Sequence, residues 1–232
     1  MVVLITGVSK GIGFELIMQM AKTPGIVLIG VSRNTKALAQ YIERNNISNI
    51  LTINADITKS SGQKRIVDTI KKLKLNLNVL INNAGEMVNK PFQKITPKEL
   101  QSVYSTNVFG PFQLIQLLLP LFDMKIKAHI VNISSIGGFQ GTVKFAGLSA
   151  YSSSKAALCS LTECLAEELK TKNIAVNCLA IGAVQTDMLS KAFPGYKAPL
   201  SAKQMAEYIS NFALTCQNYF NGKIIPVSLT TP

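Results

Sequence analysis

Tyr151-Ser-Ser-Ser-Lys155 sets a phenol and an ammonium one helical turn apart, so on a helix both lie on one face. A free phenol titrates near pH ~10, and a neighbouring positive charge favours the phenolate by ~1.4 kcal/mol per pKa unit, which brings it towards usable acidity. Alone, the pattern is as ordinary as a solvated helical pair. It gains weight from Ser134 and Ser135, which end the apolar run 128–133 and precede a glycine-bearing loop. That loop has the length to fold back and bring Ser135 and Tyr151 to one carbonyl oxygen, a donor pair suited to acyl or carbonyl chemistry. Without Tyr151 the serines would be ordinary caps.

A second group of residues suits phosphate. The apolar run 2–6 is followed by Gly7-Val-Ser9-Lys10-Gly11-Ile12-Gly13 and then by apolar positions at helical spacing, Leu16, Ile17 and Met20. Gly7 suits a tight turn, Gly11 lets backbone N–H groups approach a phosphate, and Gly13 lets the helix sit close to the strand. A pyrophosphate would then meet a helix N-terminus, whose unpaired donors and dipole favour negative charge. The next strand, 26–31, ends in Ser32-Arg33-Asn34, where an adenosine ribose would lie. An acid at that point would bind a ribose 2′-hydroxyl. Arg33 instead suits a 2′-phosphate, with Lys10 as a second positive charge, so NADP(H) is the expected cofactor.

These groups need elements to hold them. Strand patterns recur at 49–55, 78–81, 128–133, 174–180 and 223–229, and helical patterns at 59–73, 97–122 and 202–216. Strands alternating with helices imply a parallel sheet. The expected fold is α/β: one Rossmann-type doubly wound domain over 1–232, seven strands in the order 3-2-1-4-5-6-7, helices on both faces. Pro226 fits an edge position in the last strand because proline cannot donate to a ladder. Pro111 cannot donate to the carbonyl of Asn107, so the segment 97–122 should kink there and leave that carbonyl for a water.

The chain has 232 residues, 47% of them hydrophobic, enough for a substantial core. It has no run of ~18 apolar residues and no room for a leader before the first strand, so a cytoplasmic protein that does not enter the membrane is expected. Four cysteines without CxxC spacing and a single histidine, His129, give no sign of a metal site or a disulfide framework. The net charge of +12 permits an anionic partner, but the lysines are dispersed without interleaved aromatics, which argues against nucleic acid.

Thr6-Gly-Val-Ser-Lys-Gly-Ile-Gly13, Asn82-Asn-Ala-Gly85, Asn107, Ser135 and Tyr151 with Lys155 together resemble the short-chain dehydrogenase/reductase family along essentially the whole chain, in pattern most like 3-oxoacyl-acyl carrier protein reductases. The resemblance implies that Tyr151 is the general acid, that Ser135 polarises the substrate oxygen, and that Lys155 lowers the Tyr151 pKa and holds the nicotinamide ribose. Asn107 would hold a relay water through its main-chain carbonyl. Asp56 and Ile57 would contact adenine, Asn83, Ala84 and Gly85 would line the crevice, and Gly182, Val184 and Thr186 would meet the nicotinamide carboxamide. The implied function is NADPH-dependent reduction of a carbonyl to an alcohol, on a 3-oxoacyl thioester borne by acyl carrier protein or on a small free ketone or aldehyde. The alternative of another class is a catalytically silent NADP-binding regulatory module. Two features depart from the family: Ile181 stands where proline commonly precedes Gly182, and the Ser135–Tyr151 spacing is longer, which places extra loop beside the substrate. The segment 187–199 is short, so a rather open site is expected. Leu114, Leu117, Leu118 and Leu121, with Leu158, Leu161, Leu165 and Leu169, form apolar stripes suited to a homodimer or homotetramer.

Overall fold

The computed structural model describes residues 1–229. Its centre is β1 (Val2–Thr6), flanked by β2 (Val27–Ser32) and β4 (Val79–Asn82). Outward from β2 lies β3 (Ile50–Asn54); outward from β4 lie β5 (Ala128–Ser135), β6 (Ile174–Ile181) and β9 (Ile224–Val227). All pairings in this seven-stranded sheet are parallel, in the order β3-β2-β1-β4-β5-β6-β9. The expected order holds. The last strand is ninth in the chain only because β7 (Val184–Gln185) and β8 (Leu200–Ser201) form a separate two-stranded parallel ribbon. Pro226 lies in β9, which pairs with β6 alone, so its missing N–H costs no ladder bond.

Side chains alternate across each strand and feed two cores. Leu4, Leu80, Ile130 and Val176 point to one face, where they pack with Ile66 and Ile70 of α3 (Ser60–Lys72), Leu114 and Leu118 of α5 (Gly110–Leu118), and Ala166 of α6 (Ser149–Glu168). Val3, Ile5, Val79 and Val131 point to the other face. There they meet Leu16, Ile17 and Met20 of α1 (Gly11–Met20), Leu38 of α2 (Lys36–Arg44), and Met205, Ile209 and Phe212 of α8 (Ala202–Thr215). His129 is wholly buried in this framework, its Nδ1 3.0 Å from the Ala213 carbonyl and its Nε2 3.0 Å from Asn177 Nδ2. Burial lowers its pKa to about 4. It is a structural residue.

The helical segment 97–122 divides where expected. α4 (Pro97–Tyr104) opens with a capping box between Thr96 and Glu99. A π-turn, Ser105–Phe109, joins it to α5, and the Gly110 N–H reaches back to the Ser105 carbonyl. Pro111 sits in the first turn of α5, where a missing N–H is tolerated. The wider turn is the physical form of the expected kink.

Candidate active site

The C-terminal ends of β1, β2 and β4 bound a crevice of about 370 Å³ lined by Gly7, Lys10, Gly13, Arg33, Asp56 and Lys155 among others. Gly7 adopts φ +77°, a left-handed turn that costs glycine least. A Cβ on Gly13 would run into the Gly7 carbonyl oxygen, so only glycine lets α1 begin this close to β1. No side chain caps the N-terminus of α1. Its first N–H groups therefore remain available to an anion.

Thr6 and Asn83 brace this turn. Thr6 Oγ1 accepts from the Asn83 and Ala84 N–H groups, and Asn83 Nδ2 donates to the carbonyls of Thr6 and Gly7. Asn83 thus braces the loop while lining the crevice as expected, with Ala84 and Gly85 beside it. Ser32 does similar work, its hydroxyl accepting from the Ser9 N–H at 3.1 Å. Asp56 turns its carboxylate back on Thr58, while Ile57 is buried and lines the crevice. Arg33 is exposed, and no hydrogen bond or ion pair engages it among the described residues. Lys10 differs from the expectation of a free charge: it bridges to Asp187 at 3.1 Å, with both side chains largely in solvent. Such an exposed pair holds weakly and yields to a stronger anion.

Tyr151 and Lys155 lie in the first two turns of α6, one above the other, with Lys155 Nζ 5.8 Å from the Tyr151 ring centroid. The ammonium donates to the Ile133 carbonyl at 2.7 Å. Burial lowers its pKa to about 8, which leaves it mostly charged at neutral pH. Burial raises the Tyr151 phenol, and a hydrogen bond with Ser135 opposes this. The net direction is upward, opposite to the expected acidification, so the phenol keeps its proton at neutral pH. Ser135, at the end of β5, also accepts from the Gly137 N–H.

Asn107 lines neither cavity. Buried in the π-turn, it accepts the Glu86 N–H at Oδ1 and donates from Nδ2 to the Glu86 carbonyl and to Ser154 Oγ. Ser154 in turn donates to the Tyr151 carbonyl at 2.7 Å. Ser134 donates to the Lys155 carbonyl, and Asn82, Asn132 and Thr162 link β4, β5 and α6 in sequence. Of these, Ser154, Asn132 and Thr162 escaped sequence reasoning. Asparagines inside otherwise apolar strands were the available signal, since a buried amide requires partners.

On the far side of Tyr151 lies a second cavity, of about 300 Å³. It shares Ile12, Tyr151, Ile181, Thr186 and Met188 with the crevice, and Ser135, Gly182 and Val184 open only into it. Gly182 and Val184 thus meet the other expected cofactor residues through Ile12, Tyr151 and Thr186, which border both spaces. Phe145 and Leu148 of the long Ser135–Tyr151 loop line this cavity. The short 187–199 segment covers it more fully than expected. It forms α7 (Asp187–Ala192), N-capped by Thr186 and closed at its base by the β7–β8 ribbon. Asn89 Nδ2 donates to the Ala192 carbonyl at 2.7 Å, and Phe193 meets Phe145 edge-on.

A profile of the short chain dehydrogenase family matches residues 1–197. The chain is 34% identical over 187 residues to an L-xylulose reductase of Caenorhabditis elegans, covering 80% of this chain and 72% of that one. It is 30% identical over 237 residues to a 3-oxoacyl-[acyl-carrier-protein] reductase of Aquifex aeolicus, covering 97% and 94%. Among solved structures, the Pseudomonas aeruginosa RhlG/NADP active-site complex superposes with a TM-score of 0.84 at 27% identity, covering 98% of this chain and 94% of that one. A 4-hydroxyisoleucine dehydrogenase complexed with NADH superposes at 0.86 and 22% identity, covering 98% and 96%, and shares the fold.

Proposed function

The chain belongs to the short-chain dehydrogenase family, and from that premise we propose that it reduces a carbonyl compound to an alcohol with NADPH. The observation that carries this reading is the placing of the Tyr151 phenol beside Ser135 in the wall of one cavity, with Tyr151 also bordering the crevice. The crevice fits a dinucleotide: the tight Gly7–Gly13 contact and the uncapped α1 N-terminus suit a pyrophosphate. Arg33, with no acid at Ser32, suits a 2′-phosphate. Bound there, NADPH supplies the hydride that the carbonyl carbon accepts.

Ser135 and Tyr151 hold the carbonyl oxygen, and their hydrogen bonds strengthen as negative charge develops on it. Tyr151 releases its proton to that oxygen, and the neighbouring Lys155 charge stabilises the phenolate left behind. Asn107, whose carbonyl Pro111 cannot satisfy, is the group we assign to returning a proton through water. The net charge of +12 favours an acidic carrier for the substrate, as in a 3-oxoacyl thioester on acyl carrier protein; loss of kcat/KM with rising ionic strength would mark it. Leu100, Phe109, Phe112 and Leu117 are exposed on and beside α4 and α5, whereas Leu114, Leu118, Leu158 and Leu169 are core. The exposed set is the face we assign to self-association, measurable by light scattering at micromolar concentration.

Tyr151→Phe tests the mechanism. It removes only the transferable proton, so turnover should fall roughly a hundredfold or more while NADPH affinity stays within about twofold. Lys155→Ala should damage both. Ordinary turnover by the phenylalanine variant would defeat the reading.

A further inference from the structure

The cavity beyond Tyr151 has a chemistry of its own. Its polar side chains other than Tyr196 gather at the reacting end, where Ser135, Tyr151 and Thr186 stand, and Thr186 Oγ1 is already engaged with the Leu189 N–H. Away from that end the walls are Met87, Phe145, Leu148, Leu189 and Phe193. No Lys, Arg, His, Asp, Glu, Asn or Gln lines it among the described residues. The chain carries a net charge of +12, yet none of that charge is directed into this space. Met188 stays 39% exposed, apolar surface left in water beside the cavity, and Tyr196, 40% exposed, adds a phenol at its rim.

We infer that the substrate is an uncharged ketone or aldehyde whose far substituent is an apolar chain or ring of on the order of ten non-hydrogen atoms or fewer. About 300 Å³ of space at roughly 30 Å³ per water-sized group sets this as an upper limit, because Gly182, Val184 and Thr186, the residues expected at a nicotinamide, line the same space. This inference rests on the carbonyl-reductase reading and narrows it. A carboxylate or phosphate at the far end would lose its water without gaining a partner, a large penalty for a buried charge. A sugar fares little better, since each hydroxyl left unpaired costs about fivefold or more in binding. A ketopentose therefore fits these walls poorly, whatever the similarity to an L-xylulose reductase. The tail of a 3-oxoacyl thioester satisfies them. So does a simple alkyl ketone, which makes the latter a clean probe.

The test follows NADPH oxidation with 2,3-butanedione, then 2-butanone, 2-hexanone and 2-octanone, then 7-oxooctanoate and a ketopentose. Among the simple ketones, kcat/KM should rise about fourfold per methylene until the cavity fills. 2-Octanone should exceed 7-oxooctanoate by on the order of a hundredfold. As a readout without turnover, calorimetric titration of the NADP-bound protein with 2-octanol should show a negative heat-capacity change, and 7-hydroxyoctanoate should bind far more weakly. Leu189→Lys should narrow or reverse the preference between 2-octanone and the carboxylate. Reduction of butanedione with no gain along the alkyl series, or with the sugar or carboxylate preferred, would overturn the inference and leave the reductase reading standing. No reduction of butanedione or of any ketone would overturn both.

Discussion

The cofactor crevice is shaped mainly by backbone, whereas the apolar cavity that meets it at Tyr151 and Thr186 is shaped by side chains. In the crevice, a left-handed Gly7, a bare Gly13 and the carbonyls held by Asn83 leave few alternatives for the residues present. In the cavity, Phe145 and Leu148 arrive from one loop, Met188, Leu189 and Phe193 from another, and each could be exchanged for a different apolar side chain without disturbing the sheet. The contrast teaches that one fold can keep a cofactor geometry while its substrate walls vary, because the two are built from separable parts.

The strongest way to break the crevice is Gly13→Val. A Cβ there collides with the Gly7 carbonyl, backbone that cannot yield cheaply, so NADPH affinity should drop on the order of a hundredfold in a fluorescence titration. An equivalent apolar enlargement in the cavity wall should change substrate choice and leave that titration alone. Arg33→Ala sharpens the contrast within the crevice: NADPH affinity should fall roughly tenfold or more and NADH affinity hardly at all. Equal losses for both nucleotides would remove Arg33 from the 2′-phosphate.

At the seam, pH reports on Lys155. With a pKa of about 8, lowered by burial, the ammonium carries its charge below that pH and loses it above. Turnover should therefore fall as pH rises through about 8, reaching about a tenth of its neutral value one unit higher. A rate flat to pH 10 would deny the charge a role. The smallest effect belongs to the cover. Asn89→Ala removes one exposed hydrogen bond to α7, so KM for a cavity-filling ketone should rise about threefold with NADPH affinity unchanged. A loss of NADPH affinity instead would show the two regions to be coupled through α7.

Local pattern revealed a good deal of this molecule. The continuous apolar runs buried on both faces, the glycine spacing after the first strand and the proline in the edge strand each report a backbone preference, and backbone preferences survive into the fold because the hydrogen-bonded sheet enforces them. The Tyr151–Lys155 pair was legible for the same reason: one helical turn places both side chains on one face whatever surrounds them. Tertiary structure alone decided how those side chains are used. It gave the Asn107 amide to Glu86 and Ser154, set Lys10 against Asp187 and folded α7 over the cavity through Asn89. It also let burial push the Tyr151 phenol up, against the hydrogen bond with Ser135. Partners so far apart in the chain leave no periodic trace between them, and burial, which sets both pKa values and cavity chemistry, is a property of packed neighbours that no local spacing encodes.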